Sequence, residues 1–169
     1  MESASSIQFH PQARIDLRTL AERNPRGARR VLRAIEGLKD NAFDGVAMNG
    51  GDILSDMGIR KIYCDERPRA EDLHLRALTN QQADRHSTGG ANLRVLYRLV
   101  RNRNGKLLAY VFAVGFAHYN ERAARIYGRD SMTVYEQCTR RVAQPDVRAA
   151  LTAQPAAVPA GTHRTAVAA

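Results

Sequence analysis

Apolar and polar positions alternate most clearly between Asn92 and His118. Leu93, Val95, Tyr97 and Leu99 share one parity, and Arg94, Leu96, Arg98 and Val100 the other, which is the period of two of a pleated strand. Asn104-Gly105 then supplies residues that tolerate positive φ, as a tight turn requires. The return run from Lys106 to Val114 is almost continuously apolar, which predicts a strand buried on both faces. The stretch therefore predicts a β-hairpin. One face, with Val95, Tyr97 and Leu99, packs into a core, and the other carries Arg94 and Arg98 on an open side.

Upstream the period changes. Ile7 to His10 predicts a short strand, and Pro11 follows at a favourable first helical position. Ala13, Leu17, Leu20 and Ala21 form one stripe on a helix of about three turns. Asn24-Pro25 stops that helix and caps a second, whose stripe is Ala28, Val31, Leu32, Ile35 and Leu38. The short link predicts an antiparallel helical hairpin, with Arg26, Arg29, Arg30 and Arg33 on its surface.

The next segments are less regular. Residues 40–58 are rich in Gly, Asp and Asn and predict a loop. Ile59 to Tyr63 is open between strand and short helix, and Glu71 to Asn80 likewise. Residues 81–90 read as a polar loop. From 118 to 137, Ala123, Ile126, Tyr127, Val134 and Tyr135 support a terminal helix broken near Gly128. From Pro145 onward the chain is rich in Ala and Pro, with too little apolar bulk to offset its ordering entropy, so 144–169 reads as a disordered tail.

Composition narrows the partners more than the fold. At 169 residues and 44% hydrophobic content the chain suits one domain with a tail. The net charge is +9, and Lys39, Lys61 and Lys106 are the only lysines, so the positive charge is almost all arginine. A solvated basic surface and a polyanionic partner both account for that charge. Cys64 and Cys138 have no metal-ligand spacing and read as free thiols in a reducing compartment. The N-terminus has no apolar signal core and no window approaches a membrane span, which predicts a cytoplasmic protein without a membrane partner.

The opening FHPQARIDLRTL, the helix NPRGARRVLRAIEGL and the strands DLHLRAL, NLRVLYRL and LLAYVFAVG together resemble the RelE/ParE superfamily of bacterial toxin–antitoxin toxins. The likeness covers most of residues 7–118, interrupted by an insertion at about 41–70 and a long loop at 80–91. It implies an α+β fold: a small curved antiparallel sheet, with the helical hairpin packed on one face and a working surface on the other. The toxin domain would span residues 1–143. It also implies a strand at Leu73–Thr79, immediately before the one that carries Arg94.

In the ribonuclease branch of that family, basic residues on the open face cut mRNA, usually on the ribosome. Cleavage by the RNA's own 2′-hydroxyl needs a proton acceptor, a cation for the phosphorane and a proton donor for the departing 5′-oxygen. Arginine can supply the charge, so no metal or other cofactor is expected. By resemblance His74 and Arg76 match the family's paired basic residues, and Arg94 the arginine that opens the next strand. The arginine expected after Gly115 is missing, and His118 stands where it can act as acid or base. Arg98 and Arg122 are candidate phosphate contacts, and Tyr119 and Tyr127 candidate stacking partners. The resemblance implies a cognate antitoxin as partner, with mRNA and the ribosome as targets. A ParE-like inhibitor of DNA gyrase without catalysis is the alternative, beside a non-toxic nucleic-acid or protein-binding module.

Overall fold

The computed structural model describes residues 2–64, 93–117 and 132–150. Strand β1 (Ser6–Phe9) leads into helices α1 (Pro11–Arg23) and α2 (Pro25–Gly37). Strand β2 (Val46–Ala47), the single turn α3 (Ile53–Asp56) and strand β3 (Ile59–Tyr63) follow. The hairpin is β4 (Leu93–Arg101) and β5 (Leu107–Phe116), and helices α4 (Val134–Val142) and α5 (Pro145–Ala150) close the described chain. The strands form one sheet in the order β1-β5-β4-β3-β2. This is the α+β class that the sequence predicts, with one difference. β1 runs parallel to β5, so the sheet is mixed rather than wholly antiparallel.

The helical hairpin forms as its residues dictate. Asn24 Oδ1 accepts from Gly27 N at 3.0 Å and caps α2, with Pro25 at the first helical position. His10 does the same for α1, its Nδ1 accepting from Gln12 N at 3.2 Å. Ala13, Leu20, Ala28, Val31, Ile35 and Leu38 pack on Leu93, Val95, Tyr97, Leu99, Val111 and Val114 of the sheet. Leu32 departs from its predicted place in the stripe, being 40% exposed.

Between β4 and β5 the turn uses one residue at positive φ, Gly105 at 73°. Asn102 holds it together, since its Oδ1 accepts from the backbone N–H of both Asn104 and Lys106 at 3.0 Å. Residues 40–58 are more structured than a loop. The Tyr97 hydroxyl donates to Ala42 O at 2.9 Å and accepts from Gly45 N at 3.1 Å, which ties this segment to the core. Gly45 is required there, because a Cβ on it would meet the Tyr97 ring at 2.7 Å.

The C-terminal part also departs from expectation. Of the terminal helix expected over 118–137, Ala123, Ile126 and Tyr127 lie outside the described residues, and α4 opens at a capping box in which Thr133 Oγ1 accepts from Glu136 N and Glu136 Oε2 accepts from Thr133 N. α5 lies inside the stretch read as a disordered tail, and Val147 is buried against α4's side of the sheet. Among the described residues, no helix is long and apolar enough to cross a membrane.

Candidate functional site

The second face of the sheet carries the candidate residues. Tyr63 lies opposite Arg94, Lys61 opposite Leu96 and Ile59 opposite Arg98, so Lys61, Tyr63, Arg94 and Arg98 all project to one side. The strand that the resemblance implies at Leu73–Thr79, with His74 and Arg76, lies outside the described residues. β4 is flanked by β5 on one edge and β3 on the other. β3 is the segment that the sequence left open between strand and helix.

Three cations, Lys61, Arg94 and Arg98, thus share this face. Lys61 and Arg94 have no exposed surface, and Arg98 only 4%. The Arg94 guanidinium carbon lies 4.2 Å from the centroid of the Tyr63 ring, and Arg94 Nη1 donates to Leu93 O at 2.9 Å. Lys61 Nζ stands 4.8 Å from the Tyr63 centroid and 5.3 Å from that of Tyr135. Each such contact is worth about 0.5–2 kcal/mol, the more so away from water. Two fully enclosed cations therefore share one aromatic ring. Burial pushes the Arg98 guanidinium below its ordinary pKa.

Arg94 and Arg98 do not lie on an open side as expected, because α4 packs on this face with Leu54 of α3 beside it. Val134, Cys138 and Val142 fall at i, i+4 and i+8, one stripe that must find an apolar surface. They find it on Leu96, Val100, Phe112 and Ala113. Gly115, opposite Arg94, lets α4 come close: a Cβ built there would stand 3.6 Å from Val134 Cβ. The same burial pushes the Cys138 thiol far up, so it stays protonated and inert.

The fastening of α4 lies at the sheet's other edge, beyond the end of β1. Phe112 is a bulge: Leu96 pairs with Ala113 and Tyr97 with Val111, leaving Phe112 between them without a partner residue. Its carbonyl accepts from Arg141 Nη1 at 2.7 Å, and Arg141 Nη2 meets Asp16 Oδ2 of α1 at 2.7 Å. His10 Nε2 donates to Gln144 Oε1 at 3.1 Å, in the tautomer that leaves Nδ1 free to cap α1. Desolvation outweighs the attraction of Arg141 and raises the Asp16 pKa above its ordinary value.

Against protein-family models, curated proteins and solved structures alike, the chain has no match. The RelE/ParE likeness therefore rests on the quoted sequence segments alone. Of the residues it singles out, the structure brings Arg94 and Arg98 together on one face. His74, Arg76, His118, Tyr119, Arg122 and Tyr127 lie outside the described residues. Sequence reasoning missed Lys61, Tyr63 and Tyr135. The signal for the first two was their shared parity in IRKIY, readable only once that segment is known to be a strand. No group of three or more His, Cys, Asp or Glu side chains suited to a metal ion occurs among the described residues.

Proposed function

We propose that this chain is the toxin of a toxin–antitoxin pair, a cytoplasmic, metal-independent endoribonuclease that cuts mRNA on the ribosome and is neutralised by an antitoxin protein. The observation that carries the reading is the set of Lys61, Arg94 and Arg98 on one sheet face with Tyr63 and Tyr135. A planar guanidinium binds two phosphate oxygens at once, and Lys61 adds a point charge beside it. Held rigidly and away from water, such charges favour a phosphorane far more than they would in solvent. The Tyr63 ring, 4.2 Å from the guanidinium carbon, helps hold Arg94 in place before any substrate arrives. In this scheme the 2′-hydroxyl attacks the adjacent phosphorus, His74 or His118 takes its proton, and the other protonates the departing 5′-oxygen. The products are a 2′,3′-cyclic phosphate and a free 5′-hydroxyl.

The test is cleavage of a defined mRNA, with and without ribosomes, followed by analysis of the ends. Arg94→Met keeps most of the buried volume and removes the charge. It should lose cutting by about 100-fold or more, the scale on which one transition-state charge contact acts, while circular dichroism stays native. Full activity in a folded Arg94→Met protein would overturn the assignment.

A second reading has its own support. Arg94 has no exposed surface and packs over the Tyr63 ring at 4.2 Å, as a guanidinium in a purely structural role would. On that reading the chain is a ParE-like binder that blocks DNA gyrase without chemistry of its own. Inhibition of supercoiling by a protein that leaves RNA intact would select it.

A further inference from the structure

Any reading in which Lys61 and Arg94 meet an anion faces one obstacle: neither has exposed surface in this conformation. Among the described elements, α4 lies over the part of that face next to Lys61 and Gly115, with the Tyr135 ring 5.3 Å from Lys61 Nζ and Val134 close over Gly115, while Leu54 of α3 packs beside it. We propose that α4 is a latched cover on the cationic face, and that RNA reaches Lys61 and Arg94 only when the Asp16–Arg141 fastening lets go. This rests on the ribonuclease reading for the identity of the ligand, but not for the movement itself.

Four features of α4 suit a cover. It has nine residues, too few to persist as a helix without the surface it packs on. Its buried stripe uses small and medium side chains, Val134, Cys138 and Val142, rather than the large aliphatics of the opposite face. Its polar anchors are Arg141, on Asp16 and the Phe112 carbonyl, and just beyond its C-terminal end Gln144, on His10, whereas its N-terminal end meets the cation set through Tyr135. Finally, a buried ion pair holds only while its attraction offsets the loss of water from both ions, so it is a fastening with little surplus. An anionic ligand that binds only the open form would then shift the population toward it.

Cys138 reports opening independently of RNA, because its thiol is enclosed beneath α4. In a Cys64→Ala background, alkylation of Cys138 is followed in the full chain. Arg141→Met should speed it by about tenfold or more, a low figure for the loss of one member of a buried pair, and Asp16→Asn should act in the same direction. Unchanged labelling in both variants overturns the latch.

The Gly115–Val134 approach permits a lock. The 3.6 Å separation of their Cβ positions lies within the range a disulfide spans. Gly115→Cys with Val134→Cys, made in a Cys64→Ala, Cys138→Ala background, can be compared with itself oxidised and reduced, so a folding defect affects both forms equally. Binding of a fluorescent single-stranded RNA should be lost in the oxidised form and return on reduction. Equal RNA binding by both forms overturns the cover while leaving the ribonuclease reading intact. Faster Cys138 labelling in Arg141→Met, with no RNA bound by any form, supports the cover and overturns the ribonuclease reading.

Discussion

The two faces of the sheet are built from different materials. Beneath α1 and α2 the contact is almost wholly apolar, and its main polar member, Tyr97, satisfies its hydroxyl twice. Beneath α4 an apolar patch adjoins Lys61, Arg94 and Arg98, with aromatic rings spread between them. The first face also carries Arg60, opposite Tyr97, whose guanidinium donates to the Phe43 and Gly45 carbonyls. The second encloses charge, which a protein keeps only if the charges are matched or used. One face is the main core and the other gathers the buried cations.

Substitutions can break that division. Leu20→Ala removes a fully buried side chain from the first face and should cost about 2–5 kcal/mol, read by urea denaturation as one cooperative loss. Tyr97→Phe should cost about 1–3 kcal/mol, because Gly45 N and Ala42 O lose a buried partner. Val142→Ala, on the second face, should cost about 1–2 kcal/mol. Its effect should be local: hydrogen exchange should quicken in α4 while α1 and α2 keep their protection. Equal loss of protection in all three helices would mean that both faces belong to a single cooperative unit.

The smallest expected effect concerns pH. Burial raises the folded-state pKa of Asp16 above its unfolded value. The folded state therefore binds this proton more tightly, and the stability contribution is full below the unfolded pKa and lost as pH rises through the folded one. Between the weakly acidic range and neutrality, the wild-type protein should lose a little stability that Asp16→Asn does not. Denaturation midpoints of the two proteins across that range supply the comparison. A wild-type profile that rises toward neutrality relative to the variant would mean that the Arg141 pairing dominates instead.

The first face was legible in the sequence because its signals are local and periodic. Two stripes, one cap, a proline at a first helical position and one alternating strand identify α1, α2 and β4, and they assign Val95, Tyr97 and Leu99 to the core. The second face was not, for three physical reasons. Five residues of IRKIY do not carry enough period to distinguish strand from helix, so Lys61 had no assigned face. The Thr133–Glu136 capping box marks α4, but only three small or medium apolar residues follow it on one side. That a helix should cover Arg94 depends on a stripe seeking an apolar patch far away in the chain, which no window displays. Arg94 and Arg98 were correctly placed opposite the helical hairpin, yet on a surface thought to be open.

The bulge at Phe112 has a consequence for the length of β5. On either side of it the strand alternates as a regular one would: Ala109, Val111, Val114 and Phe116 face the helical hairpin, and Tyr110, Ala113 and Gly115 the other way. Phe112 is the one residue the sheet could do without, since its deletion would leave each of these neighbours on its present side. A chain shortened by that residue should keep its sheet, yet lose both the ring that α4 rests on and the carbonyl that Arg141 grips. The sheet is one residue longer than its own geometry asks, and the surplus residue is the one that α4 holds.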